Sequence, residues 1–76
     1  MKFRKESPQD QGLYWYVDLT YPDPDVGFYY QEVQYPNLKC FMRIGRGEEK
    51  WLGEHKWLRF GDMIEKPAPK DNEVEQ

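Results

Sequence analysis

The chain has very little of the chemistry that usually builds a site. Among its 76 residues there is one cysteine, Cys40, and one histidine, His55. One cysteine excludes a disulfide within the chain. One Cys and one His fall short of the four N/S ligands of a structural zinc site, so neither a metal nor a cofactor is expected. No run approaches the roughly 18 apolar residues needed to cross a bilayer. The basic start Met1-Lys2-Phe3-Arg4-Lys5 is not followed by the apolar stretch of a secretion signal. These absences predict a cytoplasmic location and no membrane partner. Gly45-Arg46-Gly47 lacks the further glycine, lysine and helix of a phosphate-binding loop. The pairs Asp23/Asp25 and Glu48/Glu49 supply too few oxygens for a calcium site. No nucleophile and base can be assembled into a catalytic set, so the sequence predicts a protein that is not an enzyme.

Aliphatic residues are also scarce. Hydrophobic residues make up 38% of the chain, yet aromatics make up 17%: six Tyr, four Phe and three Trp. The core must therefore be built from rings, whose large area compensates for few aliphatics. Thirteen rings exceed what so short a chain can bury, so some are expected at the surface, where aromatics beside arginine mark binding sites. A chain of this length has a stability margin of only about 3–5 kcal/mol without a staple. With metal and disulfide excluded, a homo-oligomer is the remaining expectation. Cys40, within Leu38-Lys39-Cys40-Phe41-Met42, reads as an inert core thiol.

Residues 1–11 read as a flexible polar arm, with Phe3 able to tack onto the body, residues 12–66 as a single β domain, and residues 67–76 as a disordered acidic tail. Within the body the period is two. The first strand, Leu13–Leu19, is expected to turn Leu13, Trp15, Val17 and Leu19 to the core and Tyr14, Tyr16 and Asp18 outward. Tyr21–Gly27, with Pro22 and Pro24, reads as a turn that cannot continue a ladder. Phe28–Tyr35 is a second strand. Leu38–Ile44 is a third, with Leu38, Cys40, Met42 and Ile44 inward and Lys39, Phe41 and Arg43 outward. Lys50–Phe60 fits either strand–turn–strand about Gly53 or a short helical turn near Glu48–Leu52. Gly61-Asp62 reads as another turn before a short strand at Met63–Glu65. The fold class is mainly β. A small antiparallel meander of four to five strands, SH3-like or OB-like in size, is expected to curl into a barrel or half-barrel.

The net charge of −3 hides an uneven distribution. Residues 38–60 hold six bases (Lys39, Arg43, Arg46, Lys50, Lys56, Arg59) against three acids, Glu48, Glu49 and Glu54. Acids exceed bases on both sides of that segment. Bases interleaved with rings can hold a phosphate and stack a nucleobase. The candidate partner-binding residues are therefore Tyr14, Tyr16, Phe41, Arg43, Arg46, Trp51, Trp57 and Arg59. Duplex nucleic acid is disfavoured, since it needs many phosphate contacts. A small anionic, nucleotide-like ligand needs only one or two arginines and a ring. An acidic patch at Asp23, Asp25 and Glu32 suits instead a protein that competes for a partner's nucleic-acid site. His55, between Glu54 and Lys56, reads as a solvated imidazole.

Gly12-Leu13-Tyr14-Trp15-Tyr16 and Arg59-Phe60-Gly61-Asp62-Met63-Ile64-Glu65-Lys66-Pro67 together resemble small phage- and prophage-encoded proteins. Those open on a G-x-Y-W-Y strand and close on an aromatic-Gly-x-x-Ile-x-x-Pro segment. The resemblance covers both ends of the body. It departs at Gly61-Asp62, where such proteins commonly carry Gly-Pro. It brings no site residues with it. What it implies is a phage accessory protein that inhibits or sequesters a component of host defence, by gripping a host protein or removing a nucleotide signal. A structural or assembly role is the third expectation.

Overall fold

The computed structural model describes residues 1–31, 38–53, 55–64 and 69–76. Among the described residues there are seven strands: β1 (Lys2–Phe3), β2 (Gly12–Asp18), β3 (Tyr21–Gln31), β4 (Lys39–Arg43), β5 (Glu49–Leu52), β6 (Leu58–Met63) and β7 (Glu73–Val74). Five of them form an antiparallel sheet in the order β5-β4-β3-β2-β6, and β1 and β7 form a parallel pair. The mainly β class expected from the period is the one observed. The ambiguous segment is strand, turn and strand, with no helix among the described residues.

The sheet is strongly curled but does not close. The rings of Phe41 on β4 and Phe60 on β6 lie 5.1 Å apart, although β3 and β2 intervene in the sheet. Yet β5 and β6 do not pair, so of the barrel or half-barrel expected, the closed barrel is not the one formed. The edge of β6 is instead covered from outside. Arg4 and Phe60 exchange backbone hydrogen bonds of 2.9 and 2.8 Å, which brings the β1 segment alongside. This is one of the ways an exposed strand edge is managed without closure.

Three local expectations are corrected. First, Tyr21–Gly27 is strand. The pairing of β2 with β3 slips between Tyr16–Asp25 and Asp18–Tyr21, leaving Pro22, Asp23 and Pro24 opposite Val17 alone. The prolines occupy this bulge, where no ladder hydrogen bond is required of them. Second, Gly61-Asp62 is strand. Tyr16 pairs with Phe60 and Tyr14 with Met63, so the two residues form a second bulge within β6. Third, the chain ends are tied together where an arm and a disordered tail were expected. Glu73 N donates to Met1 O and Glu75 N donates to Phe3 O, both at 2.9 Å, and Phe3 is fully buried. The expected end of the second strand, Glu32–Tyr35, and the boundary near residue 66 lie outside the described residues.

The phase of the strands is the largest correction. The core cluster is Tyr14, Tyr16, Tyr29, Phe41, Leu58 and Phe60, with Trp51 packed against it. Tyr14, Tyr16 and Phe41, expected to face outward, therefore line the concave side. Leu13 and Ile44, expected inside, are 43% and 45% exposed. A curled sheet of this size leaves a concave volume that rings fill better than branched aliphatics. Edge-to-face pairs such as Tyr16–Phe41 at 4.9 Å add about 0.5–1.5 kcal/mol each beyond their burial. The far end of the Phe41 ring lies against Gly27, where a Cβ would be only 2.0 Å from it. Cys40 is buried on the opposite side of β4, as a core thiol should be.

Candidate binding surfaces

The curled sheet has a concave face filled by rings and a convex face on which Leu13, Ile44 and Leu52 are exposed. On the concave face, the rim nearest β5 carries Arg43, Arg46 and Trp51. Arg43 Nη2 lies 3.2 Å from Glu49 Oε2, Nε donates to Gly47 O at 3.1 Å, and the guanidinium stands 5.9 Å from the Trp51 ring. Arg46 Nε lies 3.6 Å from Asp25 Oδ2, its Nη2 donates to Asp23 O, and it stacks 4.0 Å from the Tyr21 ring. Arg46 thus clamps the 44–48 turn onto β3, and Arg43 holds it to β5. A phosphate here would have to displace carboxylates already in place.

The other candidate residues are dispersed. Tyr14, Tyr16 and Phe41 are buried. The Tyr14 hydroxyl donates to Asp10 O at 2.8 Å, which ties down the far end of the 5–10 segment. Burial, with Asp10 and Tyr29 adding, holds the Tyr14 phenol above its ordinary pKa. Burial pushes the Tyr16 phenol higher still; the charge of Asp25 adds to this, and Arg43 and Arg46 oppose it. Both phenols therefore stay protonated and offer no base. Arg59 is only 6% exposed. Its guanidinium donates to the carbonyls of Lys56, Leu58, Glu75 and Gln76, joining the turn before β6 to the chain end. Trp57 is 66% exposed. Of the eight candidates, the structure brings Arg43, Arg46 and Trp51 together on one rim, with Tyr16 and Phe41 beneath them.

His55 is not solvated as expected. Its ring packs edge-on against Tyr29, Phe41 and Phe60, with centroids 6.0–6.4 Å away. Both ring nitrogens are buried without a partner among the described residues. Burial lowers its pKa, so the imidazole is held neutral. Among the described residues no group of three or more His, Cys, Asp or Glu could hold a metal ion. No helix there is long and apolar enough to cross a membrane.

The convex face was not singled out from the sequence. Register places Leu13, Phe28 and Met42 in one cross-strand row, ending on Lys50. Trp15 and Val26 form the next row, extended by Ile44, whose N–H donates to Val26 O. Tyr30, Cys40 and Leu52 form a third. The Phe28 and Tyr30 rings stack at 5.4 Å, and Lys50 Nζ sits 5.7 Å from the Tyr30 ring. Leu13, Ile44 and Leu52 are exposed and the other side chains except Cys40 and Lys50 are half-buried. Leu13, Ile44 and Leu52, at 43%, 45% and 54% exposure, make this the apolar side of the sheet that meets solvent, and contiguous apolar patches of this kind are often interaction sites. The signal in the sequence was the same period-two pattern, assigned to the opposite face.

No protein-family model, curated protein or solved structure matches this chain.

Proposed function

We propose that this chain is a non-catalytic binding protein that docks a partner protein on the convex face of its sheet. The continuous apolar surface built from Leu13, Trp15, Val26, Phe28, Met42, Ile44 and Leu52 carries the reading. A two-layer β protein covers such a face with its own chain; here, among the described residues, Leu13, Ile44 and Leu52 stay exposed on it. The partner has an apolar surface of its own to bury against this one. The resemblance to small phage and prophage proteins makes that partner a host component, held inactive in the host cytoplasm by sequestration.

The test uses the double variant Leu13→Glu/Leu52→Glu, at two exposed positions, one on the middle row and one on an outer row. In a pull-down from host lysate, the wild-type chain is expected to retain a stoichiometric partner that the double variant loses, with circular dichroism and Tm unchanged. A partner held equally by both, or by neither, overturns the reading. Sedimentation velocity separates the other occupant. A wild-type dimer that the double variant splits gives the face to a second copy and removes the host partner.

A further inference from the structure

The start of the chain builds one wall of a cavity against β6. Arg4 pairs with Phe60 in antiparallel register, which sends both side chains to one side. Lys2 stands two residues earlier on β1, so alternation turns it the same way. Glu6, beyond the bridge, and Asp62, on β6, line the same space. With the buried rings of Tyr14 and Phe60 these residues border a cavity of about 470 Å³. The backbone of the wall is fixed at several points. Arg4 is bonded to Phe60, the Met1 and Phe3 carbonyls accept from the amides of Glu73 and Glu75, and the Tyr14 hydroxyl donates to Asp10 O.

Two cations and two carboxylates therefore share one cavity, all four side chains reaching solvent. No ion pair among the described residues joins Lys2, Arg4, Glu6 or Asp62 to another charge. A simple anion here would be attracted by Lys2 and Arg4 and repelled by Glu6 and Asp62, and a simple cation would meet the reverse. A ligand that carries both signs gains from both sets. The volume exceeds what an inorganic ion fills and falls in the range of small-molecule sites.

We propose that this cavity binds a free α-amino acid as its zwitterion, the carboxylate held by Arg4 with Lys2 beside it, and the ammonium by Glu6 and Asp62. The planar guanidinium fork takes a carboxylate through two parallel hydrogen bonds. An ammonium has three donors to divide between two carboxylates. The cavity shares no residue with the convex face, so it stands or falls separately from the partner proposed there, and the Leu13→Glu/Leu52→Glu variant keeps it intact.

An NMR titration at constant ionic strength and neutral pH tests the site with leucine, leucine methyl ester and N-acetyl-leucine. The ester lacks the carboxylate and the acetylated form lacks the ammonium. Leucine is expected to move the amides of Arg4, Glu6 and Asp62 saturably, and each derivative to leave them in place over the same range. Arg4→Gln and Glu6→Gln are each expected to weaken leucine binding by about tenfold, the loss of one charge-assisted contact, with Tm unchanged. No movement at millimolar leucine, movement centred elsewhere, or wild-type affinity in both variants overturns the site. A derivative that saturates as tightly as leucine overturns the zwitterion.

Discussion

Gly27→Ala tests the packing at the centre of the concave face. Gly27 is buried on β3 between Tyr14 of β2 and Arg43 of β4. A Cβ there would stand 2.0, 2.5 and 2.8 Å from three ring atoms of Phe41. The ring has no room to retreat, because Tyr16, Phe60 and Trp51 lie 4.9, 5.1 and 6.1 Å away by centroid. Overpacking of this kind costs about 1–3 kcal/mol. At an unstrained, uncrowded glycine the same change would stabilise by roughly 0.4–1 kcal/mol through the unfolded chain, so the sign alone discriminates. Against a margin of about 3–5 kcal/mol, we expect a loss of about 2 kcal/mol, seen as a Tm lower by roughly 8–16 °C. Phe41→Leu removes the ring that clashes, so the double variant is expected to be little less stable than Phe41→Leu alone. That coupling, roughly 0.5–3 kcal/mol for residues in contact, is read from urea denaturation followed by tryptophan fluorescence. A Gly27→Ala variant as stable as wild type, or strictly additive effects, would refute the packing.

Arg59→Met is expected to destabilise by about 3 kcal/mol, since four carbonyls lose a charged donor. Hydrogen exchange should show Glu73 and Glu75 amides losing protection before the β2–β3 ladder; unchanged protection there would remove Arg59 as the tie. For His55, the unfolded chain takes up a proton near pH 6.5 while burial keeps the folded ring neutral. The unfolded state then binds more protons, so stability is full above about pH 6.5 and falls as pH drops through it, down to the lowered folded value. Urea midpoints measured against pH should show this fall, and His55→Phe should flatten it. Tyr16→Phe removes a buried hydroxyl that has no partner among the described residues. It is expected to leave stability unchanged or raise it by up to about 1 kcal/mol; a loss larger than that in thermal melts would mean the hydroxyl is bonded.

The strands were legible because period two survives any error of face, and the phase was not, because alternation carries no sign. In Leu13-Tyr14-Trp15-Tyr16-Val17 both sets of residues can be buried, and hydropathy favours the aliphatic set. Curvature decides it, and curvature comes from pairings far apart in the chain: β6 crosses from beside β5 to lie against β2, bringing Phe60 onto Phe41. The same long-range closure hid the bulges. Pro22 and Pro24 argue for a turn until β2 is known to slip by two residues opposite them. It also hid the order of the acidic end, whose composition is that of a solvated tail until Arg59 and β1 supply acceptors and donors for it. The site followed the phase. Assigning Phe41, Arg43 and Tyr16 to the outside made a basic, aromatic surface of what is an aromatic interior with clamped arginines at its rim. Assigning Leu13, Met42 and Ile44 to the inside hid the apolar face. One error of face therefore exchanged much of the core for the surface, though Val17 and Cys40, expected inside, are buried, and the residues that the corrected phase exposes are the ones whose substitution should change what the protein binds without changing how it folds.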